Sequence, residues 1–184
     1  FFSSGGTIYG KSINKKFIES DTPDPISYYG LSKLMIEKAI KKSFKSSDLN
    51  YLILRPSNPY GNGQNLFGNQ GLISIIIGKI LTNSTLNIWG DGSQSRDYIH
   101  IHDLCKCIYL LITKKVVNET INLASGQVFK VNEIIEFIKD LSAENLKVKY
   151  YPERKVDVKN VELSTKKLRS LVKVDKFIDI KSGI

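Results

Sequence analysis

Short apolar segments that can form strands alternate with longer helix-forming segments along almost the whole 184-residue chain. The candidate helices are Tyr28–Phe44, Leu72–Leu81, Leu104–Thr113, Glu133–Leu141 and Thr165–Leu171. The candidate strands are Tyr51–Leu54, Leu86–Trp89, Asp97–Ile101, Thr120–Ala124 and Lys147–Tyr151. Alternation of this kind is typical of α/β proteins with a parallel sheet. The sequence therefore predicts an α/β fold.

Local signals refine some of these boundaries. Asp103 and Asn132 directly precede apolar-periodic segments, so we expect them to cap the N-termini of two helices. The stretch Asn58–Gly71 is rich in Gly and Asn and is expected to be one long loop, a type of segment that is often functional. Phe1-Phe2 reads as a strand end that runs into a Gly-rich turn at Ser3–Gly6.

Charge is the compositional feature that bears most on function. The formal net charge is +9, yet the lysines are scattered and no basic, aromatic-rich motif accompanies them, which argues against a nucleic-acid-binding module. Only four of the 27 basic residues are arginine: Arg55, Arg96, Arg154 and Arg169. In a chain that uses lysine by default, a lone arginine is expected where bidentate recognition is needed.

The cysteines and the apolar segments indicate a cellular compartment. Cys105 and Cys107 are separated by one residue, a spacing that strains a disulfide, so we expect free thiols and a reducing, cytoplasmic setting. The longest apolar stretch, Leu72–Ile77, is too short to span a bilayer, and neither a membrane partner nor a signal peptide is expected.

The most specific local signal is Tyr29-Gly30-Leu31-Ser32-Lys33. A spacing of i and i+4 places the phenol and the ammonium on one helix face. A neighbouring ammonium favours the phenolate and lowers the pKa of a tyrosine from about 10. Tyr29 is therefore a candidate base near neutral pH.

Further motifs stand in a fixed order around this pair. Before it lies Ser3-Ser4-Gly5-Gly6-Thr7-Ile8-Tyr9-Gly10, and after it come Arg55-Pro56-Ser57-Asn58-Pro59-Tyr60-Gly61, Trp89-Gly90-Asp91-Gly92, Arg96-Asp97-Tyr98-Ile99-His100-Ile101-His102-Asp103-Leu104 and Arg154-Lys155-Val156-Asp157. Together these motifs resemble the extended short-chain dehydrogenases/reductases, and most of all the NAD-dependent UDP-glucose/UDP-galactose 4-epimerases and their N-acetylhexosamine relatives.

The resemblance implies epimerisation at carbon 4 of a UDP-sugar through a transient 4-keto sugar, with NAD as cofactor. Tyr29 is the implied base and acid, and Lys33 is implied to tune it. One departure concerns the neighbouring hydroxyl, because the family's usual third serine falls on Gly5. Ser4 and Thr7 are the hydroxyls that could replace it.

The resemblance also assigns binding residues. Those implied to hold the cofactor are Ser3, Tyr29, Lys33 and Pro56. Those implied to hold the nucleotide sugar are Asn58, Asn87, Trp89, Arg96, Arg154 and Asp157. The two arginines would clamp the diphosphate through charge-assisted hydrogen bonds. Val161 lies in a neighbourhood that bears on whether a 2-acetamido group fits, and its small side chain favours tolerance of that group.

The domain organisation follows from the same resemblance. Residues 1–60 are expected to be the last part of a Rossmann-type NAD-binding domain, and residues 61–184 mainly a smaller sugar-binding α/β domain, with about residues 95–125 returning to the Rossmann sheet. No Gly-x-Gly-x-x-Gly follows a strand, so we expect a fragment that lacks the dinucleotide fingerprint. The helix that carries Tyr29 is expected to pair two subunits of the full protein into a homodimer.

Alternatives remain at this point. Dehydratases of the family carry Thr-Asp-Glu where this chain has Gly5-Gly6-Thr7, which counts against water loss, whereas decarboxylation and keto reduction stay open. A non-catalytic fragment stays open too. His100, His102 and Asp103 could ligate a metal, but one strand rarely supplies a full site, so no metal is expected.

Overall fold

The computed structural model describes residues 1–10, 16–45, 48–142, 146–154 and 160–184. Its helices are α1 (Gly5–Ile8), α2 (Tyr28–Phe44), α3 (Leu72–Leu81), α4 (Ile101–Thr113), α5 (Val131–Ser142), α6 (Lys166–Leu171) and α7 (Ile180–Gly183). Its strands are β1 (Lys16–Phe17), β2 (Leu52–Pro56), β3 (Asn58–Tyr60), β4 (Leu86–Trp89), β5 (Ser95–His100), β6 (Glu119–Leu123), β7 (Val128–Lys130), β8 (Val148–Tyr151) and β9 (Asn160–Leu163). The α/β prediction is confirmed.

The strand pairings are mostly parallel. One sheet runs β1-β9-β5-β3, with β7 antiparallel to β5. Strand β2 pairs in parallel with β6, and Phe2 adds a parallel bridge to Leu54 on the other side of β2. Strand β4 pairs with β8. Strands β2, β3 and β5 come from before, within and after the predicted loop Asn58–Gly71. Residues far apart in sequence therefore meet at the ends of these strands.

Three apolar clusters hold these layers together. The first joins α3, α5, β4 and α7, the second joins β2, β6, α4 and α6, and the third joins α1, α2, β1 and β9. Their fully buried members include Ile76, Ile134, Leu111, Ile121 and Leu163. No helix of the described part is long and apolar enough to cross a bilayer.

Predicted and observed boundaries agree best where the apolar period is long. Helices α2 and α3 and strand β4 begin and end at the predicted residues. The predicted turn at Ser3–Gly6 is wrong in part, because Gly5 already begins α1. The predicted loop Asn58–Gly71 is also wrong in part, because its first three residues form β3. This strand accepts Pro59 because it lies at the end of its sheet, where a missing N–H breaks no ladder.

Both predicted helix caps are wrong. Helix α4 begins at Ile101, and His100 caps it by accepting a hydrogen bond from the His102 amide at 3.3 Å. The Asp103 carboxylate instead accepts from the Ile178 amide at 2.7 Å, which ties the C-terminal segment to α4. Asn132 lies inside the first turn of α5, which begins at Val131.

Candidate functional site

A cavity of about 640 Å³ opens where the ends of several strands meet the start of α2. Its lining residues come from six parts of the chain: Ser3, Ser4, Tyr29, Pro56, Ser57, Asn58, Pro59, Tyr60, Gln64, Gln70, Gly71, Leu72, Ile73, Asn87, Ile88, Trp89, Gln94, Arg96, Tyr98, Val131 and Arg154. The volume falls in the range of small-molecule binding sites. Of the predicted site residues, nine line this cavity.

The start of α2 places Tyr29 at the cavity. The Ser27 side chain accepts a hydrogen bond from the Gly30 amide at 3.1 Å and caps the helix. A Cβ atom at Gly30 would lie 2.6 Å from the Thr7 carbonyl oxygen, so only glycine lets this turn pack so closely against α1. Tyr29 keeps 55% of its surface exposed, and its phenol is open to a ligand.

Lys33 lies one turn after Tyr29, as predicted from the spacing. Its Nζ donates to the Phe2 carbonyl oxygen at 3.1 Å and lies 5.4 Å from the centroid of the Tyr29 ring. Lys33 is not among the residues that line the cavity. It therefore connects α2 to the first residues of the chain from behind Tyr29.

The hydroxyls near Gly5 separate into two groups. Ser3 and Ser4 line the cavity, whereas Thr7 does not. A Cβ atom at Gly5 would lie 2.9 Å from the Arg55 carbonyl oxygen and 3.0 Å from that of Pro56, and it would also meet Leu163. The family's usual serine is thus excluded here by packing, and the cavity hydroxyls on this side belong to Ser3 and Ser4.

The connection between β2 and β3 forms the floor of the cavity. The Ser57 amide donates to the Leu123 carbonyl at 2.8 Å, which continues the β2–β6 pairing. The Asn58 side-chain amide donates to the Asp97 carbonyl at 2.8 Å. Pro56, Ser57 and Asn58 are therefore fixed by β6 on one side and by β5 on the other.

The buried Asp97 stabilises the segment next to this connection. Its carboxylate is 1% exposed and accepts hydrogen bonds from the amides of Ser125 and Gly126 at 3.1 and 2.8 Å. Burial raises the pKa of Asp97 to about 6, and these two hydrogen bonds act in the opposite direction. The carboxyl thus joins the strand below Asn58 to the turn after β6.

Aromatic and cationic side chains form another part of the cavity lining. The Arg154 guanidinium lies 4.5 Å from the centroid of the Trp89 ring, and Trp89 stacks on Tyr151 at 5.8 Å. Arg96, from β5, and Asn87 also line the cavity. Two guanidinium groups in one cavity lining suit a ligand that carries phosphate.

Unpartnered polar atoms mark the cavity as well. Six buried side-chain oxygens of the described residues have no hydrogen-bond partner, and four of them belong to cavity-lining residues: Ser3, Ser57, Tyr60 and Gln64. The Ser57 hydroxyl lies close enough to Asp97 to favour its ionised form, but makes no hydrogen bond of good geometry. Buried polar groups normally find partners, but these oxygens are themselves inaccessible although the cavity is open, so they lie in the packing around the cavity and do not face its open space.

The sequence found most of the site and missed part of it. Gln64, Gln70 and Gln94 line the cavity, and the only signal for the first two was their place in a Gly- and Asn-rich stretch. Asp157 lies outside the described residues. Val161 is 3% exposed in the apolar cluster of β9 and does not line the cavity, so its size does not set the room for a substituent.

The histidine and cysteine pairs lie elsewhere. The His100 and His102 rings stack on each other at 6.4 Å, and no group of metal-ligating side chains occurs among the described residues. Cys105 is exposed and Cys107 is buried, and both are free. Burial raises the pKa of the Cys107 thiol to about 11, so this thiol is unreactive near neutral pH.

Comparison with known proteins places this geometry in a family. A putative UDP-glucose 4-epimerase of Methanocaldococcus jannaschii is 37% identical over 184 residues, which cover 100% of this chain and 59% of that protein. The dTDP-4-dehydro-6-deoxyglucose reductase of Escherichia coli is 38% identical over 139 residues, 76% of this chain and 44% of that protein. The chain thus spans less than two thirds of the length of these relatives.

A solved structure and a family match agree with these relatives. The UDP-glucose 4-epimerase of Thermotoga maritima, crystallised with UDP-glucose, superposes with a TM-score of 0.91 at 29% identity, over 100% of this chain and 59% of that one. The sequence model of the NAD dependent epimerase/dehydratase family matches residues 1–124. The cavity, its Tyr29 and its strand-end position thus lie in a shared fold, and the chain belongs to the NAD-dependent epimerase/dehydratase family.

Proposed function

We propose that the protein carrying this chain epimerises carbon 4 of a UDP-hexose or UDP-N-acetylhexosamine, with NAD as cofactor. One observation carries the proposal. One cavity is lined by Tyr29, by Arg96 and Arg154, and by Trp89, with the Arg154 guanidinium 4.5 Å from the centroid of the Trp89 ring. A phenol, two cations and an aromatic ring in one cavity suit a ligand that combines a sugar, a diphosphate and a nucleoside.

Tyr29 takes the proton of the carbon 4 hydroxyl in this proposal and returns it after the keto sugar has turned over. The ammonium of Lys33 lies 5.4 Å from the centroid of the Tyr29 ring and donates to the Phe2 carbonyl oxygen, which holds this turn of α2 against the first residues of the chain. Of the two predicted catalytic hydroxyls, Ser4 lines the cavity and Thr7 does not, so Ser4 would hold the hydroxyl or keto oxygen in reach of the phenol. Arg96 and Arg154 bind the diphosphate, which keeps the reacting carbon in place while the sugar turns.

The side chains at the Tyr29 end also fit the nicotinamide part of NAD. Ser3 has a buried hydroxyl with no partner in the described structure, and Pro56 lines the same wall. With Tyr29 and Lys33 these residues would hold the nicotinamide riboside. Bound NAD accepts and returns hydride, which is the chemistry that no side chain provides.

Reduction of a 4-keto sugar at the same site is the second candidate. It is favoured by the Escherichia coli reductase, which is similar over 76% of this chain. In that reaction a reduced nicotinamide cofactor would supply the hydride to carbon 4, and Tyr29 would donate a proton to the keto oxygen without taking it back.

The two candidates are separated by product analysis of the intact protein. UDP-glucose, UDP-GlcNAc and their galacto forms are incubated with NAD, and the products are resolved by anion-exchange chromatography. We expect interconversion at carbon 4, and we expect Tyr29→Phe to lower turnover by at least about 100-fold, the scale of general acid–base catalysis. In parallel incubations of 4-keto nucleotide sugars with the reduced cofactor, reduction without any interconversion at carbon 4 would move the assignment to the reductase, and a fully active Tyr29→Phe variant would remove Tyr29 from the mechanism.

The outer face of α2 supports a homodimer of the intact protein. Tyr28, Leu31, Met35 and Ile36 are exposed there, Tyr28 by 93% and Met35 by 63%, and a cluster of this kind marks an interaction surface. We expect Met35→Lys to shift the intact protein from dimer to monomer in sedimentation velocity. A dimer that is unaffected by this charge would place the interface elsewhere.

A further inference from the structure

Four buried side chains, none of which lines the cavity, form a polar network. The Arg55 guanidinium donates from Nε and Nη2 to the two carboxylate oxygens of Glu37 at 2.9 and 2.6 Å. Its Nη1 donates to the Tyr9 hydroxyl at 2.7 Å, and that hydroxyl donates to Asn122 at 2.7 Å. All four side chains are at most 2% exposed.

Each of these residues belongs to a segment that also lines the cavity or supports its floor. Glu37 follows Tyr29 by eight residues, at i+8 on the same face of α2 as Tyr29 and Lys33, about 12 Å along the axis. Arg55 directly precedes Pro56, and Tyr9 follows Ser3 and Ser4 on the same short segment. The network thus joins the three parts of the chain that surround the Tyr29 end of the cavity.

Stability alone does not account for an ion pair buried this deeply. Burial by itself lowers the pKa of Arg55, yet the hydrogen bonds and the charge of Glu37 raise it above its ordinary value, so the pair stays charged. Replacing such a pair with apolar side chains is often neutral or stabilising, because both ions lose their hydration when buried. A bidentate guanidinium–carboxylate pair does provide fixed distance and orientation.

We propose that Glu37 and Arg55 are positioning residues, which hold the Tyr29 face of α2 in register with the Pro56–Asn58 wall through the Tyr9-linked network. This inference rests on the proposed function. Neither side chain touches the cavity, so both act through Tyr29 and the wall. A small displacement of a catalytic group lowers the rate more than it weakens ligand binding.

The first test is Glu37→Gln in the intact protein, with the nucleotide sugar that the wild type converts. The amide offers one acceptor where Arg55 requires two, so the bidentate pair cannot form. We expect kcat to fall by about 10- to 100-fold with KM changed by less than about threefold, since the scale of misplacement effects is of that order. An unchanged kcat would overturn the proposal.

Two further variants separate positioning from folding. Leu111→Ala truncates a fully buried side chain of α4 outside the network, and we expect it to lower the melting temperature but leave kcat unchanged where it is folded. In Glu37→Leu/Arg55→Met the stability should return towards that of the wild type, while kcat stays low. Recovery of kcat in this double variant would show that the pair serves folding alone.

Amide hydrogen exchange distinguishes a failure of this proposal from a failure of the proposed function. If the wild type converts no nucleotide sugar, the proposed function fails and the exchange rates decide the positioning role. In Glu37→Gln the amides of residues 28–34 should then exchange at least about tenfold faster than in Leu111→Ala, through local opening of the start of α2. Equal exchange in the two variants would overturn the proposal.

Discussion

Buried polar groups on the two sides of the β2–β3 connection differ in whether they have hydrogen-bond partners. On the side away from the cavity, Tyr9, Glu37, Arg55 and Asn122 bond to one another. Among the residues that line the cavity, the buried side-chain oxygens of Ser3, Ser57, Tyr60 and Gln64 make no hydrogen bond of good geometry to the described residues. Since an unpartnered buried polar group costs free energy, the network is a satisfied framework, whereas the packing around the cavity leaves polar groups unsatisfied.

Gly5 lies where the two sides meet, and we expect a substitution at Gly5 to have the largest effect on stability. A Cβ atom at Gly5 would press on the carbonyl oxygens of Arg55 and Pro56, which are backbone atoms that cannot move without shifting β2. We expect Gly5→Ser to lower the free energy of unfolding by about 3 kcal/mol, at the upper end of overpacking. Urea unfolding followed by circular dichroism measures this effect.

Gly6 supplies the matched control. It is also in α1, but a Cβ atom there meets nothing within 4 Å. Gly6→Ser should therefore unfold at nearly the urea concentration of the parent chain. If Gly5→Ser were equally well tolerated, the exclusion of the family's usual serine by packing would be wrong.

The pH dependence of stability tests the support below the cavity floor. Burial raises the pKa of Asp97 to about 6 from the ordinary 3.8, so the folded chain binds this proton more tightly than the unfolded chain. The stability that protonated Asp97 contributes is therefore fully present below about pH 4 and is lost as the pH rises towards 6. On a scale of 1.36 kcal/mol per pKa unit, it is on the order of 2–3 kcal/mol.

Asp97→Asn isolates that contribution. The unfolding free energies of the parent and the variant are measured at several pH values. The difference between them should change with pH mainly between about pH 4 and pH 6. No slope in this window, or a parent that gains stability as the pH rises through it relative to the variant, would contradict the burial of an ionisable carboxyl at this position.

The smallest effect on stability is expected from removing either of two tyrosine hydroxyls, one with hydrogen-bond partners and one without. The Tyr9 hydroxyl bonds to Arg55 and Asn122, so Tyr9→Phe leaves two buried groups short of a partner and should cost about 1–2 kcal/mol. The Tyr60 hydroxyl is buried without a partner, so Tyr60→Phe should leave the stability of the ligand-free chain unchanged or slightly higher. Both are measured by urea unfolding, and the reverse order would contradict the distinction between a hydroxyl that has hydrogen-bond partners and one that has none.

Sequence patterns predicted the elements that depend on local periodicity and the residues that depend on motif spacing. The 3.6-residue period gave α2 and α3 their observed ends, and i, i+4 spacing on a helix brought Lys33 next to Tyr29. The scarcity of arginine singled out Arg55, Arg96 and Arg154; Arg55 makes a bidentate pair with Glu37, and binding of diphosphate by the other two stays a prediction. Two of the three line the cavity.

Other features were decided only by residues distant in sequence. Arg55 binds Glu37 inside the protein, Asp103 caps the backbone at Ile178 instead of its own helix, and β3 exists because β5 lies beside it. Gly5 excludes a side chain because Arg55, Pro56 and Leu163 surround it. The sequence alone determined the α/β pattern and the chemistry-bearing side chains, because periodicity and spacing act within a few turns of the chain. Which polar groups pair with each other and which face the cavity was decided by the tertiary structure, because those partners lie 18 to 113 residues apart.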